Sequence, residues 1–304
     1  MYPQKSCCVR VGTRFRYYQE QNFMNTILCC ERTLARIAVR ALYFEVKAYP
    51  KPGLVSFTDA GAHQDMNGET FYRSLFTLRH YFYQITKKGL VNDSFEALKQ
   101  VAIEAEQRML GKTQGVNTHR GAIFALGIVC VSVIRLAQEK KQFTPEDVHQ
   151  QILKDWPRHL VSHLGNPESH GALVRQRYKV VDAKQMAIHG YDLIFQLLPD
   201  FISLFIETQS LDAVCLFAYS ELLMHMDDTN ILYRKGKSAL DYAKHKTGEL
   251  LAVRCLKKRQ KKALELHQLF SEAGISPGGV ADLLSVLLFL GQLFCDQLRN
   301  YSSS

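Results

Sequence analysis

The sequence predicts an all-α protein built as a single large multi-helix domain. Apolar residues recur at spacings of three and four along most of the chain, and no run alternates in the way a strand does. Hydrophobic residues make up 47% of the 304 residues, enough for a packed core. No proline lies between Pro52 and Pro145, so this span can hold long helices.

Each predicted element follows from this spacing or from a start or stop signal. The second helix ends at Gly89, and Thr144 followed by Pro145 starts another because it combines an N-cap with proline at the first position. The predicted helices cover 25–47, 68–88, 95–110, 121–140, a segment beginning at 145, 183–205, 211–226, 238–253, 257–273 and a buried helix over 283–295. Residues 1–24 are expected to be loosely ordered ahead of a helical catalytic domain over 25–304.

Charge and cysteine usage narrow the function classes. The net charge of +9 favours an anionic partner. The basic run 254–262 lacks interleaved aromatics and is interpreted as solvent-facing, so nucleic acid is not an expected partner. No CxxC pair supports a zinc ribbon or a redox site. The uncharged runs 121–134 and 283–295 are shorter than the roughly 20 residues that cross a bilayer. These features predict a cytoplasmic protein with no membrane partner.

Four polar segments interrupt the helices and form the candidate site. Residues 112–122 bring amide, hydroxyl, imidazole and guanidinium groups to the start of an apolar helix, a pattern typical of anion binding, although capped turns use similar residues. Segments 49–66, 225–236 and 275–282 have the same character. We predict that these segments meet at one end of the helical bundle and bind phosphate groups through Lys51, Gly53, Thr113, Gly115, Asn117, Thr118, Arg120, Asn230, Arg234, Ser276, Gly278 and Gly279.

Ionisable residues in the same segments are candidates for proton transfer and metal binding. His63 and His119 can exchange protons near neutral pH, and Asp65 can face a metal or a developing positive charge. Both histidines could instead serve structure. The adjacent carboxylates of Asp227 and Asp228 are predicted to hold Mg²⁺, with N-capping of the helix that follows as the alternative.

Five motifs follow one another in order from about Glu45 to the end of the helix over 283–295. They are Lys51-Pro-Gly-Leu-Val, Gly61-Ala-His-Gln-Asp-Met, Gly115-Val-Asn-Thr-His-Arg-Gly-Ala-Ile-Phe, Asp227-Asp-Thr-Asn and Ser276-Pro-Gly-Gly-Val-Ala-Asp-Leu-Leu. This series resembles the triphosphoribosyl-dephospho-coenzyme A synthases. The resemblance implies that ATP and 3′-dephospho-coenzyme A react to give 2′-(5″-triphosphoribosyl)-3′-dephospho-coenzyme A and adenine. It also implies Mg²⁺ with the triphosphate, and a downstream prosthetic-group transferase or acyl carrier subunit as partner.

The family serves either malonate decarboxylase or citrate lyase. Residues 169–178 look more like the malonate decarboxylase branch, with the citrate lyase branch as the alternative. Lys184 and Met186 stand where relatives tend to have arginine and glutamate, and Met186 removes a carboxylate, which favours reduced activity. Two other hypotheses stay open: a nucleotide-processing hydrolase on the same scaffold, and a catalytically weakened homologue that binds coenzyme A-like ligands.

Overall fold

A computed structural model of the chain describes residue 24 and residues 29–163 and 169–302. Within these ranges the chain forms α-helices and no strand, which confirms the all-α single domain. The segment expected to be loosely ordered lies, apart from Met24, outside the described residues. The helices are α1 Glu31–Lys47, α2 Gly68–Leu90, α3 Phe95–Lys112, α4 Arg120–Glu139, α5 Pro145–Asp155, α6 Pro157–Ser162, α7 His170–Tyr178, α8 Ala183–Ile188, α9 Asp192–Thr208, α10 Leu211–His225, α11 Thr229–Lys235, α12 Lys237–Leu251, α13 Leu256–Ala273, α14 Gly278–Phe294 and α15 Asp296–Arg299.

Seven of the fifteen described helices begin with a side-chain cap that satisfies otherwise unpaired backbone N–H groups. Asn67 and Thr144 form capping boxes at the starts of α2 and α5, in which the side chain three residues later bonds back to the cap. Ser94 and Ser210 accept a backbone N–H at the starts of α3 and α10. The predicted start at Thr144 and Pro145 is therefore confirmed.

The helix predicted over 183–205 is wrong as a single element. It divides into α8 and α9 because Gly190 and Tyr191 adopt left-handed backbone conformations, with φ of 69° and 60°. Glycine adopts this conformation freely, whereas tyrosine does so only under constraint. The apolar spacing continues across the break, so periodicity alone did not reveal it.

Two helices form the centre of the core. Nearly every residue of α14 from Leu283 onward is buried, and α4 is buried along most of its length. They pack against each other, α1 packs against α14, and α2 packs against α4. Among the described helices α4 is long and apolar enough to cross a membrane, but 72% of its most apolar 18-residue stretch is buried inside the protein. This burial is that of a core helix, and it positions the N-terminal ends of α4 and α14 side by side.

Candidate functional site

A large cavity of about 1130 Å³ opens at the N-terminal ends of four helices, α4, α7, α11 and α14. All four polar segments contribute residues to its wall. The segments lie far apart in sequence, and buried packing joins them: a Cβ at Gly53 would lie 2.0 Å from the carbonyl oxygen of Ile275. Only glycine, here with φ of 76°, permits this close approach. The fold therefore brings segments 49–66 and 275–282 into direct contact beside the cavity.

The cavity separates the predicted site residues into two groups. Those in its wall are His63, Asn117, Thr118, His119, Arg120, Asn230, Arg234, Ser276, Gly278 and Gly279. Those that do not line it are Lys51, Gly53, Asp65, Thr113, Gly115, Asp227 and Asp228. The roles predicted for the first group stay predictions that its position in the cavity wall favours, whereas the second group does not reach the cavity surface.

Lys51 and Thr113 occupy structural positions. The Lys51 ammonium is fully buried, donates to the Ala48 carbonyl at 2.7 Å and lies 3.6 Å from the Glu45 carboxylate. The buried Thr113 hydroxyl lies within hydrogen-bonding distance of the carbonyl oxygens of Met109 and Val116. Neither side chain has a free polar atom that faces the cavity. The geometry does not support the predicted phosphate contacts of these two residues.

His63 is held in the cavity wall by contacts on both ring nitrogens. Its Nε2 lies 2.8 Å from the Ser276 hydroxyl and its Nδ1 lies 3.4 Å from the carboxylate of the exposed Asp65. The Arg234 guanidinium is 3.4 Å from the ring. Burial and this guanidinium lower the pKa of His63 below its usual value, although Asp65 opposes the change. His63 is therefore uncharged at neutral pH and able to take up a proton.

His119 is more deeply buried than His63. The Thr118 hydroxyl donates to Ser74 at 2.8 Å, and Ser74 Oγ lies 2.7 Å from His119 Nδ1. The Ser74 hydroxyl can donate to Nδ1 or accept from it, depending on the tautomer of the ring, and His119 Nε2 has no hydrogen-bond partner among the described residues. Burial lowers the pKa of His119 to about 3. The base function predicted for His119 is disfavoured, because burial opposes the charged imidazolium that would form when the ring takes up a proton.

The predicted magnesium ligands do not fit a metal site in this geometry. Asp228 is fully buried, and its two carboxylate oxygens accept backbone N–H groups from Asn230, Ile231 and Val280 at 2.9–3.0 Å. Asp227 pairs with Lys244 at 2.8 Å, away from the cavity. Within the part of the chain that the structure describes, no group of three or more His, Cys, Asp or Glu could hold a metal ion. The N-cap alternative describes Asp228 better, because it caps α11 and ties it to α14.

We expect Asp228→Ala to lower the free energy of unfolding by about 2 kcal/mol, because it removes a helix cap and leaves buried N–H groups unpaired. Burial raises the pKa of Asp228 to about 6, above its unfolded value, so its stabilisation is present at low pH and is lost as pH rises through 6. Urea unfolding should therefore show a larger deficit at pH 5 than at pH 8. Asp227→Ala is the matched control, with an effect below about 1 kcal/mol for a partly exposed ion pair. Equal losses in the two variants would contradict the cap assignment.

The structure adds site residues that the sequence analysis did not select. Ser169 caps α7, and the His170 ring stacks on Tyr233 with centroids 3.6 Å apart. Ser169, His170 and Arg175 all line the cavity. The polar side chains of segment 169–178 could have identified it as a binding segment. The sequence analysis used the segment only to choose between the two branches of the family. The two positions at which the sequence departs from the family pattern, Lys184 and Met186, also line the cavity. The Lys184 ammonium donates to the His163 carbonyl at 2.7 Å.

The basic run 254–262 lies outside the cavity, as expected, but one of its members is not solvent-facing. Arg259 is buried and donates to the carbonyl oxygens of Leu251 and Val253 at 3.1 and 2.9 Å. These contacts satisfy carbonyl groups at the C-terminal end of α12. The prediction of a wholly solvated face is therefore wrong for Arg259, while Lys258 and Lys261 are exposed.

Comparisons with known proteins agree with this arrangement of motifs. A family model described as ATP:dephospho-CoA triphosphoribosyl transferase (CitG) matches residues 31–300. A probable 2-(5″-triphosphoribosyl)-3′-dephosphocoenzyme-A synthase from Acinetobacter calcoaceticus is 33% identical over 258 residues, covering 84% of this chain and 88% of the relative. A 2-(5″-triphosphoribosyl)-3′-dephosphocoenzyme-A synthase from Haemophilus ducreyi is 29% identical, covering 86% of this chain and 89% of the relative. Protein CitXG from Haemophilus influenzae is 30% identical over 82% of this chain and 57% of its own length. No solved structure matches the chain.

Proposed function

Because the chain belongs to the family of ATP:dephospho-CoA triphosphoribosyl transferases, we propose that it transfers the 5-triphosphoribosyl group of ATP to the 2′-hydroxyl of 3′-dephospho-coenzyme A. Adenine is the second product. The observation that carries the proposal is the convergence of four distant polar segments on one cavity. At about 1130 Å³ this cavity exceeds the roughly 300–1,000 Å³ typical of a site for one drug-sized ligand, as two nucleotide substrates require.

The proposed triphosphate site combines cations with helix starts. Arg120 and Arg234 are exposed at the cavity, and the amide-rich turn at Gly278 and Gly279 opens α14. Guanidinium groups and helix N-termini both favour phosphate oxygens. Arg120 pairs with Glu106, so phosphate binding would exchange one anionic partner for another.

His63 is the best-placed base for the attacking hydroxyl. It is neutral at pH 7, lies in the cavity wall and has a polar neighbour on each ring nitrogen. Asp65 would act through His63, because its carboxylate contacts Nδ1 but does not reach the cavity. A positioned base of this kind contributes roughly 10²–10⁴-fold to a rate.

The downstream use of the product is the finer part of the proposal. The segment 169–178 that suggests the malonate decarboxylase branch forms part of the cavity through Ser169, His170 and Arg175. We therefore propose that the product supplies the prosthetic group of malonate decarboxylase in the cytoplasm, by way of a transferase that loads an acyl carrier subunit. Loading of the citrate lyase carrier alone in a reconstituted assay would reject this branch.

The activity is tested by incubating the purified protein with ATP, Mg²⁺ and 3′-dephospho-coenzyme A and measuring adenine by chromatography. We expect adenine release that depends on dephospho-coenzyme A. Adenine release of equal rate without that acceptor would indicate a hydrolase, and ligand binding without adenine release would indicate a non-catalytic scaffold.

Substitutions at two basic sites locate the triphosphate when ATP binding is measured by calorimetry. Arg234→Ala should weaken ATP binding about tenfold or more, because a charge-assisted hydrogen bond is lost. The double variant Lys258→Ala/Lys261→Ala, on the exposed face of α13, is the control and should bind ATP like the parent. The reverse order of effects would place the triphosphate elsewhere.

A further inference from the structure

The carboxylates in the cavity wall differ in their partners. Four acidic side chains line the cavity: Glu45, Glu106, Asp182 and Asp282. Glu45 pairs with Lys51, Glu106 with Arg120, and Asp182 with Arg175 at 3.1 Å. Among the described residues Asp282 forms no ion pair, although the cavity is otherwise rich in cations. An acidic side chain without a cation partner in this cavity requires an explanation, because even a half-buried, unpaired carboxylate loses hydration.

Asp282 lies where the starts of α4 and α14 meet. The Ala122 backbone N–H donates to its carboxyl group, and a Cβ at Gly121 would lie 1.9 Å from Oδ2. The carboxyl group is therefore packed directly against the first turn of α4, in space that only a glycine leaves open. Asp282 keeps part of its surface exposed, so a ligand in the cavity can reach it.

The surroundings of Asp282 oppose its ionisation. Burial raises the pKa of Asp282 well above its ordinary value, and the carboxylates of Asp228 at the start of α11 and Glu45 on α1 raise it further. The Ala122 N–H on α4 acts in the opposite direction and is the smallest of these effects. Tyr191, just before α9, is a buried and uncharged neighbour whose hydroxyl has no hydrogen-bond partner among the described residues. These surroundings favour the protonated, uncharged form of the Asp282 carboxyl group.

We propose that Asp282 is the general acid that protonates adenine as it leaves the ribose of ATP. The inference rests on the proposed function, since it assigns a step of that reaction. As the bond between the sugar C1 and adenine N9 breaks, its electron pair passes to the base and the Asp282 O–H proton passes to a ring nitrogen. The attacking hydroxyl oxygen forms the new bond to C1 and loses its proton, and a proton from solvent restores the acid form of Asp282. The net reaction therefore consumes no proton and needs no further reactant.

The alternative role for Asp282 is structural, as an acceptor for the Ala122 N–H at the start of α4. Substitution by asparagine distinguishes the structural role from the general-acid role. Asparagine has the same shape and retains an oxygen acceptor, but it has no acidic proton to transfer. A structural carboxyl group would also respond in the same way to every substrate, whereas a general acid matters only when the leaving group needs a proton.

The test compares Asp282→Asn with the parent on ATP and on N7-methyl-ATP, each with dephospho-coenzyme A. The N7-methylated base carries a positive charge and leaves without protonation. We expect kcat on ATP to fall about 100-fold or more in the variant, on the scale of a lost general acid, and kcat on N7-methyl-ATP to stay within about threefold of the parent. Asp182→Asn, which alters another acid of the same cavity, should change kcat on the two substrates by equal factors.

Each outcome separates this inference from the proposed function. A parent that releases no adenine from ATP rejects the function itself, whereas an active parent with an equally active Asp282→Asn rejects only the acid. Equal loss on both substrates assigns Asp282 a structural role and overturns the proposal. If Asp282→Asn does not fold, the pH dependence of kcat in the parent tests the proposal instead. Its kcat on ATP should fall as pH rises above the pKa of Asp282, and this fall should be missing with N7-methyl-ATP.

Discussion

Gly121→Ala should reduce turnover by about two orders of magnitude while leaving the protein folded. The added methyl group would lie 1.9 Å from Asp282 Oδ2, much closer than any real contact. The carboxyl group is the end of a side chain and can rotate away, so the clash displaces the proposed acid rather than the backbone. Gly121 lies in the first turn of α4 at a helical conformation, where alanine is favoured over glycine by up to about 1 kcal/mol. The loss therefore falls on kcat more than on the unfolding midpoint, and both are measured on the same preparation.

Gly171→Ala is the matched control for this substitution. Gly171 lines the same cavity and lies in the first turn of α7, but a Cβ there would meet its nearest neighbour, Asp182, at 3.9 Å. This is ordinary contact, so activity should be kept. In the double variant Gly121→Ala/Asp282→Asn the two losses should not add, since both remove one group. Parent-like turnover of Gly121→Ala would show that the carboxyl position is unimportant.

The fold was predictable from sequence where helices are long and their caps are local. Periodicity located the central helices, and the Thr144 cap fixed the start of α5 because the signal lies within four residues. The short helices α6, α7 and α15 were not predicted, since four to nine residues show too little of a 3.6-residue period. The break at Tyr191 depends on a left-handed conformation that tertiary packing imposes on a residue that disfavours it.

The site was predictable as a set of segments and less so residue by residue. Polar residue types identified all four segments, because a polyanion site needs many donors near glycine turns. Sequence could not tell which side of each turn faces the ligand. Thus Asp282, one turn beyond the Gly278-Gly279 pair, faces the cavity, whereas Asp228 turns inward to cap a helix. Lys51 was selected as a cation in a polar segment, yet its partner Glu45 lies on α1, outside the four polar segments.

Lys51→Met should lower the free energy of unfolding by about 3–5 kcal/mol, the cost of removing one partner from a buried ion pair. The change leaves Glu45 buried without a counter-ion and the Ala48 carbonyl without its donor. Burial already raises the pKa of Glu45 above its ordinary value, and Lys51 opposes that rise. Without Lys51 the pKa rises further, so Glu45 is protonated over a wider range. A carboxyl group with a raised folded pKa stabilises at low pH and loses this contribution as pH rises, so the deficit should grow from pH 5 to pH 8.

Urea unfolding and ATP binding together decide between this structural role and a phosphate contact. If Lys51 supports the cavity wall from behind, folded Lys51→Met binds ATP with nearly the affinity of the parent. Glu45→Gln added to Lys51→Met should then recover much of the lost stability, because the uncompensated charge is gone. A phosphate contact requires the opposite result, in which stability is kept and ATP affinity falls about tenfold. The full burial of the Lys51 ammonium against Glu45 favours the first outcome, since a phosphate oxygen could reach it only by breaking that pair.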